Sequence, residues 1–157
     1  MNSEKKERMT LKERDERAQK DLDLFYTEIQ TRKTNPTFEP SAGEFDEYDV
    51  LFNGLYHVEL KRRYIRSDNK KFQPYYIRKS KVDWLRKNTP RGILVFFFND
   101  RWFAVDVRKN FEVDDPRAVD NPREGERKEI NYLVRPEDGK FYEYKTDPAT
   151  LKKLLSK

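Results

Sequence analysis

The apolar positions of this chain change their period several times, and each change marks an element. Ala18, Leu22, Phe25 and Ile29 recur at spacings of four, three and four, which is one stripe of an α-helix reaching about Arg32. Thr10 with Glu13 offers a capping box near its start. Residues 1–17 are almost wholly charged and predict a disordered arm, which leaves 18–157 as one folded domain. Residues 33–45 carry two prolines and a glycine and predict a loop.

Residues 43–63, GEFDEYDVLFNGLYHVELKRR, shift to period two and predict a β-hairpin. Its register follows from the apolar face. A two-residue Asn53-Gly54 turn would pair Phe52 with Leu55 and set Asp46 opposite Lys61. It would also scatter Tyr48, Val50 and Phe52 away from Val58 and Leu60. A three-residue loop, Phe52-Asn53-Gly54, gathers those five on one face and puts Asp49, His57, Glu59 and Lys61 on the other. Asp49 then becomes the diagonal neighbour of Glu59, and Asp46 is the fallback.

Beyond the hairpin, Arg62, Arg63, Arg66, Lys70 and Lys71 interleave with Tyr64, Phe72, Tyr75 and Tyr76. Basic residues neutralise phosphates and aromatics stack on exposed bases, so this segment reads as a phosphate-contacting loop. Ser80 and Asp83 predict a capped helix from Lys81 to about Asn88. The apolar run Ile93–Phe98 reads as a central strand buried on both faces, turned by Asn99-Asp100 into a second strand, Trp102–Val107. Residues 114–129 are polar and proline-punctuated and predict a long loop. Asn131–Arg135 and Lys140–Lys145 read as short edge strands, and Pro148–Leu155 as a terminal helix. The expected fold is α/β, in the sense of mixed α+β: a mixed sheet of four or more strands flanked by helices.

Composition narrows the function. Apolar residues make up 35%, but aromatics reach 14%, enough for a core built on large rings. The formal net charge of +5 favours a polyanionic partner. The absence of cysteine removes disulfides and thiolate zinc sites and fits an intracellular, cytoplasmic protein. No long apolar run indicates a membrane. A single histidine, His57, rules out two-histidine ribonuclease chemistry and His-rich metal centres. On a strand such a residue is more often structural than functional.

Carboxylate-plus-lysine chemistry is well supplied. Asp49 and Glu59 on one sheet face suit a hard cation, and Lys61 beside them suits an attacking water or a developing negative charge. The triplet Glu-x-Lys also occurs at Glu4, Glu126 and Glu143. The first two lie in polar segments without strand character. Glu143-Tyr144-Lys145 is the competitor, but no helix and strand follow it.

The stretch YDVLFNGLYHVELK, followed by YYIRKSKVDWLRKN and GILVFFFNDRWFAVDV, resembles the core of the PD-(D/E)xK nuclease superfamily, over roughly residues 20–108. The order of elements is similar to small Holliday-junction resolvases and to small endonucleases of phages, introns and archaeal viruses. Tyr48 stands where the motif usually has proline. The resemblance implies a restriction-endonuclease-like core and a metal-dependent nuclease acting on DNA. Asp49 and Glu59 would bind Mg²⁺ or Mn²⁺, and Lys61 would act on the water. It also implies accessory roles for an acid on the first helix, here Glu28, and for Gln73 or Lys81 after the triplet. Arg62, Arg63, Lys70 and Lys71 would hold the nucleic-acid backbone. RNA carries the same phosphodiester and is not separated from DNA by these residues, and cutting two strands leaves room for a homodimer. The rival expectations are a noncatalytic nucleic-acid-binding protein of a virus or mobile element, and a structural or protein-interaction factor.

Overall fold

A computed structural model describes residues 10–42, 48–112, 115, 117–121 and 129–157. The first helix, α1, spans Leu11–Gln30 and is capped where the sequence indicates, with Glu13 N–H donating to Thr10 Oγ1 at 3.1 Å. Residues 11–17, expected in the charged arm, are therefore helical; 1–9 lie outside the described residues. The buried positions of α1 are Leu24, Phe25, Glu28 and Ile29, so the apolar stripe is confined to its second half.

The main sheet contains β1 (Phe38–Pro40), β2 (Val50–Phe52), β3 (Tyr56–Arg62), β5 (Gly92–Phe97), β6 (Arg101–Asp106) and β9 (Lys140–Glu143), in that spatial order. Among the described residues only β3 and β5 run parallel; His57 pairs with Gly92 at one end and Arg62 with Phe97 at the other. The crossover between them carries β4 (Tyr75–Arg78) and α2 (Lys79–Asn88). β4 leaves the main sheet and pairs with β8 (Glu129–Val134), which pairs in turn with β7 (Ala118–Asn121). A short helix, α3 (Val107–Asn110), follows β6, and α4 (Pro148–Leu155) completes the chain described. The fold is mixed α+β, a mixed sheet flanked by helices.

The sheet separates two apolar clusters. Leu24, Phe25 and Ile29 of α1 pack on Val50, Phe52, Val58, Leu60, Val95, Phe97 and Trp102. On the other face, Val82 and Leu85 of α2 join Leu94, Phe96, Phe103, Tyr75, Tyr132 and Val134. β5 contributes to both clusters, as a strand reading as an unbroken apolar run must.

Several expectations need correction. Of the two expected edge strands, β9 is one, at the edge of the first sheet beside β6, whereas β8 is the middle strand of the second sheet. Gly139 sits between them where a Cβ would meet the Ala104 carbonyl and the Phe103 and Val105 side chains, so only a glycine lets the chain pass this close. Part of the expected long loop is β7, whose sequence Ala-Val-Asp-Asn lacks the alternation that would have revealed it. Helix α2 starts at Lys79 with no side-chain cap bond, so Ser80 is its second residue and not its cap. Tyr75 is 2% exposed, with its hydroxyl donating to the Ser67 carbonyl. It belongs to the core and offers no face to a base. No helix among the described residues is long and apolar enough to cross a membrane.

Candidate active site

The β2–β3 hairpin brings the acidic groups together in a register that differs from the expected one by two residues. Val50 pairs with Val58 and Phe52 with Tyr56. Asn53 and Gly54 both have positive φ, 53° and 64°, and Leu55 N–H donates to the Phe52 carbonyl at 3.1 Å. The turn thus contains Asn53 and Gly54, and Leu55 is an extra residue, 47% exposed, before the ladder resumes. A shift of two keeps every side chain on its expected face. The ladder ends at Val50, and Asp49 stands just before it, close enough to Glu59 for the two carboxylates to act on each other. Asp49 N–H donates to the Val58 carbonyl at 2.8 Å, and Leu60 N–H donates to Asp49 Oδ2 at 2.6 Å. Asp46 lies outside the described residues.

Glu59 is 4% exposed. Its Oε2 accepts from Lys81 Nζ at 2.6 Å, while its buried Oε1 has no hydrogen-bond donor. Burial, and then the Asp49 carboxylate, push its pKa up to about 8 against the pull of Lys81. Lys61 reaches the mouth of the same cleft. Desolvation between the walls, followed by Arg63, lowers its pKa; Glu59 opposes the shift, and Lys81 and Arg78 add to it. Lys81 lines the same cleft and is paired with Glu59.

Asp21, on α1, is the residue that sequence reasoning missed. Burial raises its pKa to about 6; Arg62 opposes the rise and Asp49 adds to it. Arg62 Nη2 stands 3.2 Å from Asp21 Oδ1. The signal was present in the helix period: Arg14, Arg17, Ala18 and Asp21 fall on one face beside the apolar stripe. All four line the same open cleft of ≈ 610 Å³ as Asp49, Glu59, Lys61, Arg63, Tyr64, Arg78 and Lys81. Cationic side chains thus flank a floor of carboxylates.

Other expected site residues fall elsewhere. Glu28 is 1% exposed and accepts from Lys145 N–H, Thr146 N–H, Thr146 Oγ1 and Arg32 Nε. These bonds hold its pKa down despite its burial, and Glu28 fastens α1 to the segment before α4. Gln73 donates to the Ser67 carbonyl and braces its own loop. Arg62 is not a free phosphate ligand: it is held by Asp21 and the Leu154 carbonyl, and its guanidinium lies near the Tyr64 and Phe97 rings. Arg63 lines the cleft and donates to the Tyr76 carbonyl. Lys70 and Lys71 are exposed in a 3₁₀ turn and do not line it. His57 contacts Thr89 Oγ1 at 3.1 Å and packs edge-on against Tyr48 and Trp84, a structural position. In the competing triplet, Lys145 N–H is committed to Glu28 and the Glu143 carbonyl to Arg32.

Among the described residues no group of three or more His, Asp or Glu is gathered as a metal cage. Asp49 and Glu59 instead form a two-carboxylate site, the kind that suits Mg²⁺, which takes one or two carboxylates and completes its shell with water and substrate phosphate. The unpartnered Glu59 Oε1 and the mutual repulsion of the two acids are features that a divalent cation would satisfy. No protein-family model matches this chain, and no curated protein matches it in sequence.

Proposed function

We propose that this protein is a metal-dependent nuclease of the PD-(D/E)xK kind, cleaving phosphodiesters of DNA. The observation that carries the reading is the buried Glu59 carboxylate. It lies against Asp49, with one oxygen unpartnered and two lysines beside it, at the floor of a cationic cleft. Asp49 and Glu59 would hold Mg²⁺ or Mn²⁺. A cation there would supply Lewis-acid polarisation of the phosphate and an acidified water. Asp49 is oriented for that task by the Leu60 amide, and Glu59 by Lys81. Lys61, its pKa already lowered, orients the water and stabilises charge on the phosphorus oxygens. Arg63 and Arg78 face the path of the phosphate backbone.

The second reading is a noncatalytic nucleic-acid-binding protein. It is favoured by the Lys81 ammonium, which already neutralises part of Glu59. The two separate in a cleavage assay on linear, circular and single-stranded DNA with Mg²⁺, Mn²⁺ or EDTA. Metal-dependent cutting that is lost in Glu59→Ala and Lys61→Ala supports the nuclease. Salt-sensitive binding without cutting by the unaltered protein would sink it.

A further inference from the structure

The N-terminal part of α1 gives the core little: its buried residues begin at Leu24, and before them Leu22 packs there only partly buried. From Leu11 to Asp23 it extends about 20 Å at the usual helical rise. Arg14, Arg17, Ala18 and Asp21 present one face of it to the cleft, and Arg63, Arg78 and Lys81 line the same cleft from β3 and the crossover. The helix acts as a wall. Tyr64 stands beside it, partly exposed, just after β3 ends. Its ring has Arg17 at 5.6 Å, Arg62 at 5.5 Å and Lys157 at 5.1 Å from the centroid.

We propose that the cleft takes an unpaired DNA strand in preference to a flush duplex, with Tyr64 as the surface on which a base stacks. An aromatic ring inside a cleft can meet only a base whose own face is free. Inside a duplex both faces of a base are covered by its neighbours and its edge is paired, whereas an unpaired base can turn a face to the ring. Stacking of this kind tolerates any sequence, because every base has a π-face. The surrounding cations match the rest of the ligand. Arg17 and Lys157 stand over the ring, so an incoming base would take their place there and turn them onto its flanking phosphates, and Arg14 continues the track along α1. Arg62 stays fixed by Asp21 and the Leu154 carbonyl and keeps the ring in position. The inference rests on the nuclease reading only for where the cut falls; the stacking surface stands apart from it.

The test is fluorescence anisotropy in EDTA, so that nothing is cut, with a labelled twelve-nucleotide single strand and a blunt duplex of that strand with its separate complement. The unaltered protein is expected to bind the single strand more tightly. Tyr64→Ala should weaken single-strand binding roughly 5- to 100-fold and leave duplex binding unchanged, while Tyr64→Phe keeps the preference. The paired change Arg14→Ala with Arg17→Ala should reduce the slope of log affinity against log salt by about 1.4 for the single strand. Circular dichroism of each variant separates loss of the ring from loss of the fold. Equal binding of strand and duplex, or an equal effect of Tyr64→Ala on both, overturns the inference and leaves the nuclease reading intact. A Tyr64-dependent single-strand preference with no cutting in Mg²⁺ or Mn²⁺ upholds it while removing the nuclease.

Discussion

Lys81 Nζ, from the first turn of α2, stands 2.6 Å from Glu59 Oε2 on β3. This pair joins the crossover helix to the acidic floor, and it holds the Glu59 pKa below where burial and Asp49 would otherwise drive it. Lys81→Ala should therefore raise that pKa further. On the proposed function Glu59 must be ionised to hold the metal, so the acidic limb of kcat/KM against pH should move upward by about 1 unit. The pH profile in saturating Mg²⁺ checks this. A lower plateau with an unmoved limb would mean that Lys81 acts on substrate and not through Glu59.

The same carboxyl links stability to pH. Between its ordinary value of 4.5 and its folded value of about 8, the folded protein holds a proton that the unfolded chain has released. Stability therefore falls as pH rises through that window. Asp21, raised from 3.8 to about 6, adds a slope of the same sign at its lower end. In EDTA, melting at pH 8 should be less stable than at pH 5.5, by on the order of a few kcal/mol. Glu59→Gln should flatten the slope above pH 6. Added Mg²⁺ should raise Tm more at pH 8 than at pH 6, since the cation competes with the proton.

Glu28 predicts the opposite kind of phenotype. Its four donors come from Arg32 and from the strand-to-helix link at Lys145 and Thr146. Glu28→Ala leaves buried amides without an acceptor and should cost about 2–4 kcal/mol in urea unfolding. Metal dependence and pH profile should be unchanged at a temperature where the variant is folded.

Gly139→Ala forces a methyl group against the Ala104 carbonyl and the Phe103 and Val105 side chains. It should cost about 1–3 kcal/mol through overpacking, read as a lower urea midpoint. Its site lies at the β9 edge, away from the cleft, so kcat/KM should hold.

Much of the frame was legible where the pattern was long and regular. The α1 stripe, the apolar run of β5 and the Leu151–Leu154–Leu155 face of α4 each have enough apolar positions to fix a period. The hairpin parity was legible too, because one face had to be apolar. Its exact pairing was not: Leu55 bulges out of the turn, and a displacement of two leaves the pattern of faces unaltered. Asp21 was passed over for Glu28 because a stripe tells which residues face the core but not which end of the helix overhangs it. The partnership of β4, β7 and β8 in a second sheet depends on contacts between distant segments that no local pattern records. Tyr75 and Arg62 were read as ligand-facing from their type; the burial that claims them is a property of the assembled fold.

The parallel pairing of β3 with β5 also orders events in time. Asp49 and Glu59 meet on a hairpin closed by neighbouring residues, a fast local step. Lys81 reaches them only when the whole crossover is in place and His57 has found Gly92, a slower closure over a long loop. A chain caught between the two steps carries paired acids without their ammonium. Refolding should therefore slow as the solvent becomes more alkaline, and a divalent cation present from the start should restore its pace.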